Sequence, residues 1–103
     1  MKNLRDLTVI IVTFHTPENI VLGCLRSINN DEVRVLIIEN SSTFTHEQKI
    51  KSEFSNVKII CTGKNLGYGK GNNFGIQHTE SDYALILNPD VICDKDFFSN
   101  ISK

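Results

Sequence analysis

The chain of 103 residues contains no tryptophan, two prolines and one methionine, and its 11 basic residues nearly balance its 12 acidic ones. Without an excess of lysine and arginine there is no basic stripe, so a nucleic-acid partner is not expected. No apolar run approaches the roughly 20 residues that cross a bilayer, and the first residues lack the apolar core of a signal peptide. We therefore expect a cytoplasmic protein, with no transmembrane segment in this chain.

Cysteine and histidine are also scarce, with three residues of each type. Cys24, Cys61 and Cys93 are too far apart for a zinc knuckle, and their odd number argues against a disulfide framework. The histidines are scattered, so no metal cluster of the His/Cys kind is visible. We predict that the cysteines are small buried hydrophobic residues in a reducing compartment, and not catalytic thiols.

Length and composition indicate one ordinary globular domain over residues 1–103, with 40% hydrophobic and 22% charged residues. Four apolar segments predict strands at residues 7–14, 33–38, 57–61 and 83–88. Each segment is nearly continuous in apolar residues, as in a parallel sheet that is covered on both faces.

The segments between the strands have helical features. Thr16 and Pro17 are typical of an N-cap and a first helical residue, and Thr45 with Gln48 has the spacing of a capping box. A third helix is expected from about Gly69. The order β-α-β-α-β-α-β predicts an α/β fold, with a mainly parallel sheet in a Rossmann-like three-layer α/β/α arrangement.

In open α/β sheets, ligands bind beyond the carboxyl ends of the strands. All four predicted ends are polar or small: Thr13-Phe14-His15, Glu39-Asn40-Ser41, Asn65-Leu66-Gly67 and Asn88-Pro89-Asp90. A domain without a ligand would have polar residues at some of these ends. Polar residues at all four favour a ligand crevice.

The glycine-rich segment NLGYGKGNNFG does not match a dinucleotide fingerprint. Gly67 and Gly69 have the G-x-G spacing, but Asn72 occupies the place of the third glycine, and the segment follows the third strand. A flexible backbone that enters a helix near Lys70 could approach an anion closely. The alternative is a turn followed by a helix that needs small residues for tight packing.

Asp90 follows a proline at the end of a buried strand. Mg²⁺ is commonly bound by one or two carboxylates and completes its shell with water and phosphate oxygens, a task that suits a strand-end aspartate in a nucleotide crevice. Asn-Pro-Asp is also a common turn sequence. Spacing alone leaves both interpretations open.

Together, the segments VIIVTFHT, LIIENSS, NLGYGKGNNFGI and YALILNPDV resemble glycosyltransferase family 2. The likeness runs from Leu7 to Val91 and is greatest to the rhamnosyltransferase-like members, which join sugars in bacterial surface polysaccharides. It implies a GT-A fold, in which a nucleotide-binding half precedes an acceptor-binding half. It also implies an inverting, metal-dependent enzyme that uses Mg²⁺ or Mn²⁺. Its partners would be a dTDP- or UDP-sugar and a saccharide acceptor.

The resemblance assigns roles to individual residues, with Glu39 on the acid that hydrogen-bonds the base or ribose and Asp90 as the metal-binding acid of the DXD motif. The nucleotide-sugar-binding positions that it implies are Thr13, Phe14, His15, Glu39, Asn40, Asn65, Gly67, Gly71, Asn73 and Asn88. Two of these depart from the family pattern. Glu39 is one methylene longer than the usual aspartate, and Asn88 replaces the first acid of DXD.

The family's catalytic base comes from the second half of the domain, and nothing marks Asp94 or Asp96 as that base. We therefore expect residues 1–103 to be the front portion of a longer enzyme, inactive alone and prone to self-association through uncovered apolar surface. The full-length enzyme is expected in the cytoplasm or at the inner face of the membrane. The alternative is a small, complete, non-catalytic nucleotide-binding or regulatory α/β module.

Overall fold

Strands and helices alternate along residues 3–101, the part of the chain that the computed structural model describes. The strands are β1 (Leu7–Thr13), β2 (Arg34–Glu39), β3 (Val57–Cys61) and β4 (Tyr83–Leu87). The α-helices are α1 (Glu18–Ile28), α2 (Glu47–Glu53), α3 (Tyr68–Gln77) and α4 (Phe97–Ile101), and a short 3₁₀ turn at Leu4–Asp6 precedes β1.

The four strands form one parallel sheet in the order β3-β2-β1-β4. The register aligns Thr13 of β1 with Glu39 of β2, so the last residues of these two strands are neighbours. Each predicted strand is confirmed to within one residue at either end. The parallel direction follows from the helical crossovers that join successive strands.

Side chains alternate between two apolar clusters on opposite faces of the sheet. One face carries Val9, Ile11 and Ile37, which pack in one cluster with buried residues of α1, α2 and α4. The other carries Ile10 and Ile38, which lie beneath α3. Because helices cover both faces, the predicted three-layer arrangement is confirmed.

Two glycines of α3 allow that helix to lie close to the sheet. A Cβ atom on Gly75 would lie 2.7 Å from Cγ2 of Ile10, and one on Gly71 would lie 3.0 Å from Cγ1 of Val12. Residues four apart share a helix face, so both glycines point towards the sheet. The close packing of α3 against the sheet therefore explains why Gly71 and Gly75 are glycines.

The prediction that β4 is buried on both faces is wrong. Tyr83 is 50% exposed and Ile86 is 41% exposed, and only Leu87 of this strand is buried. Within residues 3–101, β4 pairs with β1 alone and forms an edge of the sheet. Helix α3 packs over β1 and β2, which leaves β4 uncovered on that side.

Both predicted helix caps are also wrong. Helix α1 begins at Glu18 after Pro17, and the Thr16 hydroxyl accepts a hydrogen bond from the Phe14 N–H instead. Helix α2 begins at Glu47 without a side-chain cap, so the expected capping box does not form. Helix α4 was not predicted, whereas α3 begins where it was expected.

The cysteines differ in exposure. Cys24 is buried as predicted, but Cys61 is exposed and Cys93 is only partly buried, so the prediction is wrong for Cys61. Cys61 ends β3, which lies at the other edge of the sheet. All three are free thiols.

No helix within residues 3–101 is both long enough and apolar enough to cross a membrane.

Candidate functional site

The carboxyl ends of β1 and β2 hold a buried carboxylate. Glu39 is 1% exposed, and its Oε1 accepts a hydrogen bond of 2.8 Å from the Thr13 hydroxyl. Its Oε2 accepts one of 3.2 Å from the His15 N–H. Two donors from β1 and the following loop thus compensate part of the cost of removing this carboxylate from water.

The loop after β1 presents aromatic rings to solvent. His15 has a φ of 50°, a left-handed conformation that is uncommon for residues other than glycine. The hydrogen bond from its N–H to Glu39 holds it there. Phe14 is 52% exposed, and its ring centroid lies 4.7 Å from that of His15. Exposed rings at the rim of a crevice suit stacking against a planar ligand.

A small cleft opens beside Glu39. It is lined by His15, Thr16, Glu39, Thr43, Phe44, Thr45 and His46. Larger concavities lie around Leu25 and Asn56, around Arg34 and His78, and around Asp94, and none of them contains a predicted site residue. Among these four concavities, the predicted site residues His15 and Glu39 lie in the small cleft.

Asn40 joins β2 to the turn before α3. It is 2% exposed, and its Nδ2 donates to the Gly67 carbonyl at 3.0 Å. Its Oδ1 accepts from the Thr62 hydroxyl at 3.2 Å. The Oδ1 of Asn65 accepts from the Gly67 N–H at 3.0 Å. These bonds hold Gly67, whose φ of 85° suits glycine, at the start of α3.

A side-chain hydrogen bond joins the start of α3 to the end of β4. The Tyr68 hydroxyl, in the first turn of α3, donates a hydrogen bond to Oδ1 of Asn88, which follows β4. Gly67 contributes no side-chain cap to α3, so the first N–H groups of this helix lack such a partner. A helix start of this kind favours a nearby anion.

Asn88, Pro89 and Asp90 form a turn after β4. The Val91 N–H donates to the Asn88 carbonyl at 3.1 Å, and the Cys24 thiol contacts the same carbonyl at 4.0 Å. Burial, with smaller contributions from Cys93 and Asp90, raises the pKa of Cys24 to about 11. The thiol beneath this turn is therefore protonated at neutral pH.

Asp90 is exposed at this turn. No group of three or more His, Cys, Asp or Glu residues within residues 3–101 is arranged to hold a metal ion. The exposed carboxylate of Asp90 is nevertheless a hard oxygen donor, which fits Mg²⁺ or Mn²⁺ when a nucleotide supplies further oxygen ligands. The chemistry of this side chain is thus compatible with a bound divalent ion.

Most of the predicted residues lie at or just beyond the carboxyl ends of the strands or at the start of α3, whereas Asn73 lies within α3. It is exposed on α3, two residues after Gly71, whose Cα faces the sheet. Its neighbour Asn72 is 6% exposed, and Oδ1 of Asn72 has no hydrogen-bond partner within the described residues. Sequence reasoning missed Asn72, Tyr68 and Thr62. The only available signal for Tyr68 was an aromatic residue between two glycines at a helix start.

The parallel sheet, with polar residues at the carboxyl ends of its strands, defines an α/β domain with a candidate ligand site at those ends. Residues 8–102 match the family described as Glycosyl transferase family 2. The match spans nearly the whole chain, so this protein belongs to that family.

Individual relatives agree with this assignment. The chain is 31% identical over 97 residues to the low-salt glycan biosynthesis hexosyltransferase Agl10 of Haloferax volcanii, covering 90% of this chain and 30% of the relative. It is 30% identical over 98 residues to the N-acetylglucosaminyl-diphospho-decaprenol L-rhamnosyltransferase of Mycobacterium tuberculosis, covering 82% of this chain and 32% of the relative.

Among solved structures, S. aureus TarS 1-349 in complex with UDP superposes with a TM-score of 0.78 at 21% sequence identity. The superposition covers 93% of this chain and 30% of that one, and it confirms the GT-A fold. The chain thus spans about a third of the length of each of these proteins.

Proposed function

We propose that this chain is the nucleotide-sugar-binding portion of a glycosyltransferase. The whole enzyme would transfer a sugar from a dTDP- or UDP-sugar to a saccharide acceptor in surface polysaccharide synthesis, at the cytoplasmic face of the membrane. The observation that carries the proposal is that Glu39 ends β2, the start of α3 bonds to Asn88 after β4, and Asp90 lies in the same turn as Asn88, in a family 2 member. The relatives named above support it through the activities in their names.

The proposed roles follow from the contacts of each residue. Glu39 holds the loop of Phe14 and His15 through the His15 N–H, so the two rings are set to receive the nucleobase. The start of α3, kept in place by Asn40, directs backbone N–H groups towards the diphosphate. Asp90 would hold a divalent metal ion for which the nucleotide supplies further ligands.

A bound Mg²⁺ or Mn²⁺ would supply Lewis-acid stabilisation of the negative charge on the diphosphate leaving group. Transfer with inversion also needs a base that removes the proton of the acceptor hydroxyl. We assign that base to a part of the longer enzyme outside residues 1–103. The proposal therefore includes the absence of sugar transfer by this chain alone.

Calorimetry with UDP and dTDP, with and without Mn²⁺, tests the proposal on the native chain, Asp90→Ala and Asp82→Ala. Asp82 is a matched control because it is an exposed aspartate at the opposite end of β4. We expect Mn²⁺ to tighten nucleotide binding in the native chain and in Asp82→Ala, but not in Asp90→Ala. Equal, metal-independent binding in all three would make Asp90 a turn residue.

A further inference from the structure

The hydrogen bond between Tyr68 and Asn88 determines how the Asn88 amide is oriented. Tyr68 lies in the first turn of α3, and Asn88 follows the last residue of β4. The tyrosine hydroxyl donates to the amide oxygen, so Oδ1 of Asn88 is directed at Tyr68. The Nδ2 group has no hydrogen-bond partner within the part of the chain that the structure describes.

The backbone that precedes Tyr68 is held in place. The preceding residue, Gly67, accepts a hydrogen bond from Asn40 through its carbonyl and donates one to Asn65 through its N–H. The backbone that enters α3 is thereby fixed on two sides. A tyrosine that follows this turn can orient a partner side chain with little further loss of conformational freedom.

The orientation decides which ligand atoms Asn88 can recognise. An asparagine amide offers an acceptor oxygen and two N–H donors. A metal ion would need the oxygen, which is directed at Tyr68 and already accepts its hydrogen bond with one of two lone pairs. Oxygen atoms of a phosphate or a sugar would need the N–H groups, which are available. The nearby start of α3 carries partial positive charge and favours an anion at the same place.

We propose that Tyr68 is a positioning residue, which directs the Nδ2 N–H groups of Asn88 at the diphosphate of the nucleotide donor. On this proposal, which rests on the proposed function, Asn88 recognises the anion and does not ligate the metal. The neutral amide at the first position of the DXD-like motif then changes the chemical role of that position. It converts a position of negative charge into a hydrogen-bond donor for the diphosphate.

The chain offers a matched control for Tyr68, because its second tyrosine, Tyr83, has nearly the same exposure and lies at the far end of β4. Calorimetry would compare UDP with uridine, and dTDP with thymidine, in the native chain, Tyr68→Phe and Tyr83→Phe. We expect Tyr68→Phe to weaken binding of the diphosphates about threefold to tenfold, the effect of one hydrogen bond. Binding of the nucleosides should be unchanged, and Tyr83→Phe should match the native chain throughout.

A second measurement reports on the amide directly. In ¹⁵N NMR spectra, UDP without metal should shift the Asn88 side-chain N–H signals of the native chain, and should shift them much less in Tyr68→Phe. Mg²⁺ without nucleotide should leave these signals in place. A shift caused by Mg²⁺ alone and of similar size would overturn the proposal, because it would place the metal at Asn88.

The outcomes separate this inference from the proposed function. If the native chain and Tyr68→Phe bind UDP and dTDP equally well, the role of Tyr68 is refuted and the nucleotide site stands. If the native chain binds neither nucleotide, the proposed function fails, and the inference fails with it.

Discussion

The Thr13 hydroxyl donates a hydrogen bond of 2.8 Å to the buried carboxylate of Glu39, across the pair of residues at which β1 and β2 end. Both side chains are 1% exposed. A carboxylate so deeply buried depends on its donors, because water does not replace them. This pair therefore links the stability of the sheet edge to the geometry of the candidate site.

Replacing Thr13 by valine keeps the shape of the side chain and removes its hydroxyl. Oε1 of Glu39 then loses its donor, and we expect the free energy of unfolding to fall by about 1 to 3 kcal/mol. Urea denaturation measures this change. Thr43→Val is the control, since Thr43 is exposed and its change should stay within about 0.5 kcal/mol. Equal effects of the two substitutions would show that Glu39 does not depend on Thr13.

The two ends of α3 should respond in opposite directions to an added methyl group. Gly75→Ala places a Cβ atom 2.7 Å from Cγ2 of Ile10, and we expect a loss of about 1 to 3 kcal/mol from overpacking. Gly69→Ala meets no atom within 4 Å, so the better helix propensity of alanine should add up to about 1 kcal/mol. Thermal or urea unfolding of both variants measures the contrast. A stabilised Gly75→Ala variant would contradict the close packing of α3 on β1.

The sequence was sufficient to predict the positions of the four strands, because long apolar runs between polar segments are typical of a parallel sheet. It also placed Glu39 and Asp90 at strand ends, since a strand end is a local feature. The position of β4 in the sheet was missed. Its composition matches that of β1, and only the path of the crossovers decides which strand lies at the edge.

The side-chain contacts of the site could likewise not be predicted from short sequence patterns. The bond from Tyr68 to Asn88 joins residues 20 positions apart, and it requires the start of α3 to lie near the end of β4. Asn40 was assigned to the nucleotide by resemblance. In the structure its amide is occupied by Gly67 and Thr62, and whether it also contacts a ligand stays a prediction. The predicted caps at Thr16 and Thr45 failed because both hydroxyls make other local contacts, with the Phe14 N–H and with Nδ1 of His46.

The buried thiol of Cys24 predicts a loss of stability at alkaline pH. Its pKa is raised from 9.0 to about 11, mainly by burial. Because the folded state favours the protonated thiol, this contribution is complete below pH 9 and is lost as the pH rises towards 11. The loss should be on the order of 2 to 3 kcal/mol when the thiol is fully ionised.

Urea denaturation at pH 8 and at pH 10.5 would measure this effect in the native chain and in Cys24→Ala. We expect the native chain to lose more stability than the variant between the two pH values, because only the native chain has the buried thiol. Parallel losses in the two proteins would assign the alkaline effect to other groups.

The open edge of β4 predicts self-association. Tyr83 and Ile86 are about half exposed, and the backbone groups on the outer side of β4 have no strand partner within residues 3–101. Such an edge pairs readily with a second chain, and a lysine on it opposes pairing. We therefore expect a concentration-dependent dimer in sedimentation experiments on the native chain, and a monomer for Ile86→Lys. Ile20→Lys is the control, because Ile20 is 37% exposed on α1 and does not belong to β4. A native chain that stays monomeric at high concentration would refute the prediction, whereas a dimer that Ile86→Lys leaves intact would move the contact to another surface.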